Sequence, residues 1–239
     1  MKALVLANVD LDKKLADEDE YDKKLEAAQK RLLVLQSDYI KKGRRAIIVC
    51  EGWDASGKGG AIQRMTQVVD PRHYQVWPIG APDPLEQGKH YLARFWSKLP
   101  AKGSWGFFDR SWYGRVLVER VEGFAKQHEW ERAFDELNAF EKMLTDDGVA
   151  LVKLFFHVSS KAQVDRFKDR ASDPFKSWKL TDDDWRNRKK RKPYEKAIDE
   201  MLTRTSPKNA PWTVVEGDYK WWARVKAAST VADVLQGKL

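Results

Sequence analysis

A glycine-rich segment directly after a short apolar run most constrains how this chain can fold. Residues 46–50 (AIIVC) are continuously apolar, which is typical of a strand buried on both faces of a parallel sheet. Residues 52–58 (GWDASGK) fit the phosphate-loop pattern G-x-x-x-x-G-K, and a helical segment follows them. Such a loop turns several backbone N–H groups toward one anion, and Lys58 adds a positive charge. The sequence therefore predicts a phosphate-binding loop between a central strand and a helix.

Apolar runs of strand length alternate with helical patterns along the rest of the chain. This alternation predicts an α/β fold with a parallel central sheet flanked by helices. Further strands are predicted at Tyr74–Ile79, Trp105–Phe108, Val149–Val158 and Trp212–Val215. An apolar stripe predicts a first helix that ends near Gly43 and serves either as core or as an interface: Tyr21, Leu25, Ala28, Leu32, Leu35 and Tyr39. Other helices are predicted at Lys58–Val69, Pro84–Leu99, Tyr113–Val121, Glu129–Leu144, Lys161–Ala171, Asp182–Thr205 and Tyr219–Leu235.

The 239 residues are best described as one domain, with an N-terminal arm over 1–20 and a basic helical insertion over 161–206. The net charge is +8, and residues 161–192 carry twelve Lys and Arg against six Asp. This distribution favours binding of a polyanion. Cys50 is the single cysteine, which excludes an intrachain disulfide and thiolate metal sites. No apolar run approaches the roughly 18 residues of a membrane span, and the first residues lack a secretory signal, so we expect a cytoplasmic protein without a membrane partner.

Two residues of the loop indicate metal chemistry. Asp54 places a carboxylate inside a phosphate cradle, and Gly59 stands where Ser or Thr normally contacts Mg²⁺. Like charges about 4 Å apart cost on the order of 4 kcal/mol at an effective dielectric constant near 20, so Asp54 predicts an intervening cation. Asp109 comes directly after the apolar run 105–108, which is the position of the acid at the end of a Walker B strand. We expect Asp54 and Asp109 to hold Mg²⁺, with Mn²⁺ as a substitute.

Arginines and aromatic residues near these acids supply the remaining candidates. Arg110 and Arg115 follow Asp109 and offer bidentate donors to phosphate, or else form structural salt bridges. Arg166 and Arg170 lie four residues apart in the basic insertion, so one helix face presents both, and they could close over a phosphate as a lid. Trp112 and Tyr113 provide flat surfaces for a nucleotide base or, alternatively, pack in the core.

Several segments together resemble the polyphosphate kinase 2 family, and within it the class that uses AMP. The segments that carry the resemblance are residues 51–60, 108–121, 166–179 and 210–212, and the likeness runs from about residue 15 to 235. It implies a thymidylate-kinase-like P-loop fold of three layers with a helical lid. It also implies Mg²⁺-dependent transfer of a phosphoryl group from inorganic polyphosphate to a nucleoside monophosphate, most often AMP, with ADP or GMP as further acceptors.

The resemblance also assigns roles to residues. Asp54 and Asp109 would hold the metal, Lys58 and Arg110 would bind phosphate, and Arg170 would be the lid arginine that reaches the transferred group. It implies a homodimer or homotetramer. The residues expected around the phosphates are Gly52, Ala55, Ser56, Gly57, Lys58, Gly59, Gly60, Arg115 and Arg166. Those expected at the nucleotide are Trp112, Tyr113 and Glu119.

Other functions fit the same residues. One enzyme alternative is polyphosphate-dependent phosphorylation of ADP or GDP, or its reverse, polyphosphate synthesis; another is an ordinary ATP-dependent nucleotide kinase. An alternative of another class is a basic P-loop protein that binds nucleic acid, suggested by the positive charge and the eleven tryptophans. Nucleic acid is not an expected partner if the chain is a polyphosphate kinase.

Overall fold

The computed structural model of the protein describes residues 5–179 and 182–239. Five parallel strands form one sheet in the order β2-β3-β1-β4-β5. Their bounds are β1 Arg45–Gly52, β2 Tyr74–Pro78, β3 Trp105–Asp109, β4 Val149–His157 and β5 Trp212–Glu216. The predicted strands and the parallel α/β class are confirmed.

Helices cover both faces of the sheet. Their bounds are α1 Glu18–Lys42, α2 Lys58–Thr66, α3 Ala93–Trp96, α4 Val118–Val121, α5 Gln127–Asp146, α6 Ser160–Ser172, α7 Asp182–Lys189, α8 Arg191–Arg204 and α9 Lys220–Gln236. Short 3-10 turns lie at Leu6–Asn8, Pro71–His73, Trp112–Arg115 and Ser177–Lys179. Within the described ranges, no helix is long and apolar enough to span a membrane.

The central strand β1 shows why the fold has three layers. Successive side chains of a strand point to opposite faces, and every residue from Ala46 to Cys50 is fully buried. Ala46, Ile48 and Cys50 join the core beneath α1, α2 and α9, whereas Ile47 and Val49 join the core beneath α5 and α8. Burial of each such aliphatic side chain contributes about 1.5–3 kcal/mol. The apolar run therefore holds both layers onto one sheet.

Helix α1 packs along α9, so its apolar stripe belongs to the core and the interface interpretation of that stripe is wrong. The Asp17 carboxylate caps the helix N-terminus, and Gly43, with a φ of 62°, ends it in the left-handed conformation. The described part of the predicted N-terminal arm is also packed. Leu6 and Leu15 are buried, and the Leu6 N–H donates to the Asp199 carboxylate at 2.7 Å.

Three predicted helices differ from the structure. Pro84–Leu99 is mostly turns, because the Asp83 carboxylate accepts from backbone N–H groups two and three residues later and Gly88 adopts a φ of 77°. Only the short α3 remains of that prediction.

The other two differences flank the predicted site. Tyr113–Val121 is a 3-10 turn followed by α4, because Leu117 between them has a non-helical φ of −109° and ψ of −96°. Asp182–Thr205 is two helices, α7 and α8, joined at Lys190. Pro193 explains this break: its ring excludes a continuous helix through Lys189, whereas proline is tolerated in the first turn of a new one.

Candidate active site

The site forms where the carboxyl ends of β1 and β3 lie side by side. Cys50 of β1 is paired with Asp109 of β3, and the Arg110 N–H donates to the Cys50 carbonyl at 3.0 Å. This pairing places the loop after β1 next to the turn after β3. Gly52 begins the loop with a φ of 144°, and a Cβ there would overlap the carbonyl oxygen of Phe156. Only glycine fits this close approach between β1 and β4.

The loop residues 52–58 and the start of α2 form an anion cradle. The first N–H groups of a helix have no intrahelical acceptor, and in α2 these belong to Lys58, Gly59 and Gly60. The Lys58 ammonium lies back over the loop and donates to the carbonyls of Gly52 at 2.9 Å and Trp53 at 3.1 Å. A phosphate in the cradle would meet both the N–H groups and this ammonium.

Asp54 links the loop to two other elements. Its Oδ1 accepts from Arg110 Nη2 at 2.8 Å, and its Oδ2 accepts from Asn187 Nδ2 at 3.0 Å. Asn187 lies on α7, within the basic insertion. The Asp54 side chain is only 12 % exposed. This carboxylate is therefore shared between the turn after β3 and the insertion.

Arg110 is surrounded by carboxylates. Burial alone would lower its pKa, but Asp54, then Glu51 and Asp109, raise the pKa above the usual arginine value. The backbone at Arg110 adopts a φ of 65°, which a non-glycine residue rarely takes. Asp54 contacts the Arg110 guanidinium directly, and Asp109 is its neighbour along the chain, so the two predicted acids lie on either side of one arginine. Backbone strain of this kind clusters at functional sites.

Glu51 is a site residue that the sequence analysis missed. Its carboxylate is buried and accepts from the Ser111 hydroxyl at 2.8 Å, which fastens the turn after β3 to the end of β1. Burial raises the pKa of Glu51. The sequence does contain a signal for Glu51, because an acid directly after the fully apolar run 46–50 must lie at the edge of the core.

Arg166 and Arg170 of α6 lie on one helix face, as predicted, but their surroundings differ. Arg166 is buried, and its guanidinium donates to the carbonyls of Ala55 at 2.9 Å and Asp218 at 3.0 Å, and also to that of Gly217. These acceptors occupy several of its N–H groups, so Arg166 braces the loop at Ala55, and its predicted contact with phosphate stays a prediction. Arg170 is partly exposed one turn further along the helix.

Helices α7 and α8 close over the loop through further contacts. The Arg191 guanidinium lies 4.3 Å from the centre of the Trp53 ring. Glu122, just after α4, accepts from Lys190 Nζ at 2.8 Å and from the Tyr194 hydroxyl at 3.3 Å. The insertion thus contacts both the loop and the segment that follows residues 108–121, and its role as a lid stays a prediction.

Comparison with known proteins identifies the family. The sequence profile of the family described as polyphosphate kinase 2 matches residues 15–239. The chain belongs to the polyphosphate kinase 2 family. The range predicted from the resemblance, about 15–235, is confirmed, and so is the P-loop kinase fold.

Individual relatives in this family agree with the assignment. A protein of Pseudomonas syringae pv. tomato named polyphosphate:AMP phosphotransferase is 47 % identical over 232 residues, which are 97 % of this chain and 46 % of that protein. A Pseudomonas aeruginosa protein named ADP-polyphosphate phosphotransferase is 42 % identical, over 86 % of this chain and 67 % of its own. The crystal structure of polyphosphate kinase 2 from Arthrobacter aurescens TC1 superposes with a TM-score of 0.94 at 32 % identity, covering 99 % of this chain and 87 % of that one. The chain spans about half the length of the curated AMP-named relatives it matches.

The polyphosphate kinase 2 family generally depends on a divalent metal. The described residues contain no group of three or more His, Cys, Asp or Glu that could hold an ion. Mg²⁺ does not need such a cage, because it is commonly bound by one or two carboxylates together with water and substrate phosphates. Asp54 and Asp109 supply that number of carboxylates. Ser56 adds a buried hydroxyl that has no hydrogen-bond partner within the described residues. These oxygen donors fit a divalent cation.

The prediction that Trp112 and Tyr113 contact the nucleotide is wrong. Their exposed fractions are 1 % and 0 %, and both side chains are directed into the core toward Glu141 on α5. Sequence alone did not distinguish a core aromatic from a base platform. The two side chains instead pack in the core behind the turn after β3.

Arg115 and Glu119, in contrast, are partly exposed residues within the segment 108–121. Arg115 Nη1 lies 3.1 Å from a Glu119 carboxylate oxygen, and its guanidinium lies 4.5 Å from the centre of the Tyr91 ring. Burial raises the pKa of Glu119 despite the neighbouring Arg115. Arg115 Nε is buried and has no hydrogen-bond partner within the described residues. Both predicted roles, phosphate contact for Arg115 and nucleotide contact for Glu119, stay predictions.

Proposed function

We propose that this protein transfers the terminal phosphoryl group of inorganic polyphosphate to AMP, giving ADP. One observation carries the proposal: the phosphate loop, the Asp109–Arg110 turn and the basic lid converge on Asp54 in a chain of the polyphosphate kinase 2 family. The 47 % identity to a protein named polyphosphate:AMP phosphotransferase supports AMP as the acceptor.

In this reaction the protein has mainly to position the two substrates and to neutralise their charge. The phosphate oxygen of AMP already carries negative charge, so no general base is needed to make it a nucleophile. The transferred group spreads its charge over three oxygens, and catalysis consists of alignment and neutralisation. In this proposal the N–H groups of Gly59 and Gly60, together with Lys58, hold the donor phosphates, and Arg110 and Arg170 neutralise the group in transfer.

Asp54 and Asp109 would hold Mg²⁺, with Mn²⁺ as a substitute. When bound, such an ion would supply neutralisation of phosphate charge. In the structure Asp54 accepts from Arg110 at 2.8 Å and from Asn187 at 3.0 Å, so its carboxylate lies where the loop, the turn after β3 and the insertion meet. The Arg110 side chain is 53 % exposed and would donate to phosphate beside this carboxylate.

Polyphosphate has no base or ribose, so its recognition must come from repeated charge contacts. A row of cations continues from the cradle on the side of α9. Arg224 lies next to Gly60, since a Cβ at Gly60 would be 3.8 Å from its guanidinium. Burial and then the charge of Arg166 and Arg224 lower the pKa of Lys220. We infer that this row, with Arg170, follows the phosphate chain.

The proposal is tested by incubating the protein with polyphosphate, AMP and Mg²⁺ and measuring ADP by chromatography. We expect ADP that depends on polyphosphate; the absence of ADP, or ADP formed equally without polyphosphate, refutes the donor. GMP, ADP and GDP in place of AMP test the acceptor, ATP in place of polyphosphate tests an ordinary nucleotide kinase, and Mn²⁺ in place of Mg²⁺ tests the metal.

Assembly and location belong to the same proposal. We expect a homodimer or homotetramer by light scattering after size exclusion, and a cytoplasmic location. Lys58→Ala separates the enzyme from a nucleic-acid-binding protein. A kinase loses ADP formation with this change, whereas nucleic-acid binding that rests on distributed surface charge does not depend on one lysine.

A further inference from the structure

A charged pair lies in the centre of the core, away from the cradle. Lys153 is a cation within the otherwise apolar strand β4, and Glu141 faces it from α5. Both side chains are 0 % exposed, and their charged atoms lie 2.6 Å apart. Neither residue is within reach of a substrate, so neither is a catalytic residue.

The hydrogen bonds of this pair are complete. Lys153 Nζ has three protons, and it donates to Glu141 Oε2 at 2.6 Å, to the Tyr113 hydroxyl at 3.0 Å and to the Thr205 carbonyl at 2.6 Å. Glu141 Oε1 accepts from the Tyr113 hydroxyl at 2.7 Å and from Trp112 Nε1 at 3.0 Å. The network therefore joins the turn after β3 to the end of α8, where the lid returns to the sheet.

Stability alone does not explain such a pair. Replacing a buried ion pair with apolar residues of similar volume is often neutral or stabilising, because both ions lose their hydration. An apolar core would not orient Trp112 and Tyr113, because hydrogen bonds fix the orientation of these side chains and apolar contacts do not. These two residues come directly after Asp109, Arg110 and Ser111.

We propose that Glu141 and Lys153 are positioning residues for phosphoryl transfer, which hold the Asp109–Arg110 turn in register with the phosphate loop through Trp112 and Tyr113. The turn is fastened on its other side by the hydrogen bond from Ser111 to Glu51. These two attachments hold the backbone at Arg110 in place, and they thereby fix the point from which its guanidinium extends. This inference rests on the proposed function, because it assigns a role in that reaction.

Two double variants isolate the effect. Lys153→Met with Glu141→Gln removes both charges but keeps an amide oxygen that can accept from Trp112 and Tyr113. Lys153→Met with Glu141→Leu removes both charges and the acceptor as well. Both variants lose the Lys153 donor to Thr205, and they differ in whether a polar amide or an apolar side chain faces Trp112 and Tyr113.

We expect the Leu double variant to have a kcat about 10²-fold below that of the Gln double variant, which is the cost of misplacing reacting groups by about 1 Å. The KM for polyphosphate should stay within about threefold, because the cradle of residues 52–60 is not attached to the pair. Both proteins are first compared by circular dichroism and thermal unfolding, and kcat is taken per folded molecule. Equal kcat in the two folded variants, within threefold, overturns the inference.

Single changes keep the test decisive if the Leu double variant does not fold. Trp112→Phe removes one donor to Glu141, and Tyr113→Phe removes one donor to Glu141 and one acceptor of Lys153; both leave the pair itself in place. We expect kcat to fall about tenfold in each with KM for polyphosphate unchanged, and an unchanged kcat in both overturns the inference. The wild-type protein runs in the same assay. An inactive wild type refutes the proposed function, whereas an active wild type with unaffected variants refutes only the role of the pair.

Discussion

The two sides of the candidate site are built differently. The loop side is fixed by buried groups: Arg166 donates to the Ala55 carbonyl of the loop, and Ser111 donates to Glu51. The lid side is fixed by cations that water reaches: the side chains of Arg186 and Lys190 are 44 % and 42 % exposed, whereas the Glu122 side chain that they share is 4 % exposed. A half-exposed cation keeps part of its hydration and is screened by salt, which weakens its ion pair relative to a fully buried one. The loop is therefore preorganised, whereas lid contacts can be exchanged for ligand contacts at small cost.

This contrast matches what phosphoryl transfer requires. Groups that neutralise charge act best when they are already in place, because they then need no reorganisation during reaction. A lid must instead open for a polymer and close to exclude water. We therefore expect substitutions on the loop side to change the rate of the chemical step or the stability of the protein strongly. Substitutions on the lid side should change how readily the lid closes, and by smaller factors.

The largest effects are expected in the cradle. Lys58→Ala and Asp109→Asn should each lower kcat by at least ~10²-fold, the usual scale for loss of one charge-stabilising group. The measurement is polyphosphate-dependent ADP formation, with folding checked by circular dichroism. Lys30→Ala, at a lysine whose side chain is 72 % exposed on α1, is the matched control and should leave kcat unchanged. Losses of tenfold or less in both cradle variants would contradict their assigned roles.

Arg166 and Arg170 sharpen the comparison within one helix. Arg166→Ala leaves buried carbonyls without their donor, so the free energy of unfolding should fall by about 3 kcal/mol. Arg170→Ala should lower turnover and change the stability by less than about 1 kcal/mol, because the residue is partly exposed. Urea unfolding and kcat are measured for both. Wild-type turnover in Arg170→Ala would remove Arg170 from the site, and wild-type stability in Arg166→Ala would remove its bracing role.

His157 gives the loop side a pH dependence. Burial, and next the charge of Arg191, lower its pKa to about 4, and its neutral Nδ1 accepts from Trp53 Nε1 at 2.9 Å. The unfolded chain binds the proton more tightly between about pH 6.5 and 4, so stability is full above this window and falls as the pH decreases through it. The loss reaches about 3 kcal/mol at most, which is 1.36 kcal/mol for each pH unit between the two pKa values.

The test compares His157→Gln with the wild type in urea unfolding between pH 4 and pH 8. The variant should lose this part of the acid sensitivity, because glutamine does not titrate. His128→Gln, at an exposed histidine on α5, is the control and should keep the wild-type profile. A His157→Gln profile parallel to that of the wild type would show that His157 does not titrate as inferred.

The sequence indicated the loop side better than the lid side, for physical reasons. A phosphate loop depends on local backbone geometry, so glycines and a lysine at fixed spacing identify it. The partners of Asp54 come from residues 56 and 133 positions away along the chain. No periodicity reports such contacts, which is why Asn187, Glu122 and Arg191 were missed. Trp112 was misassigned because an aromatic side chain suits a core and a base pocket equally well.

The smallest effect should come from Asn187, which carries the direct contact between lid and loop. Asn187→Ala removes one hydrogen bond to Asp54, and a net loss of about 1 kcal/mol corresponds to about a fivefold lower kcat/KM. Hydrogen exchange of the α7 amides should also become faster, because the closed arrangement loses its attachment to the loop. Asn209→Ala, at an exposed asparagine that contacts Thr145, is the matched control and should change neither quantity. If α7 exchanges at the wild-type rate while kcat/KM still falls, Asn187 acts on the charge of Asp54 and not on the lid, and the division between a fixed loop and an exchangeable lid would have to be redrawn at this residue.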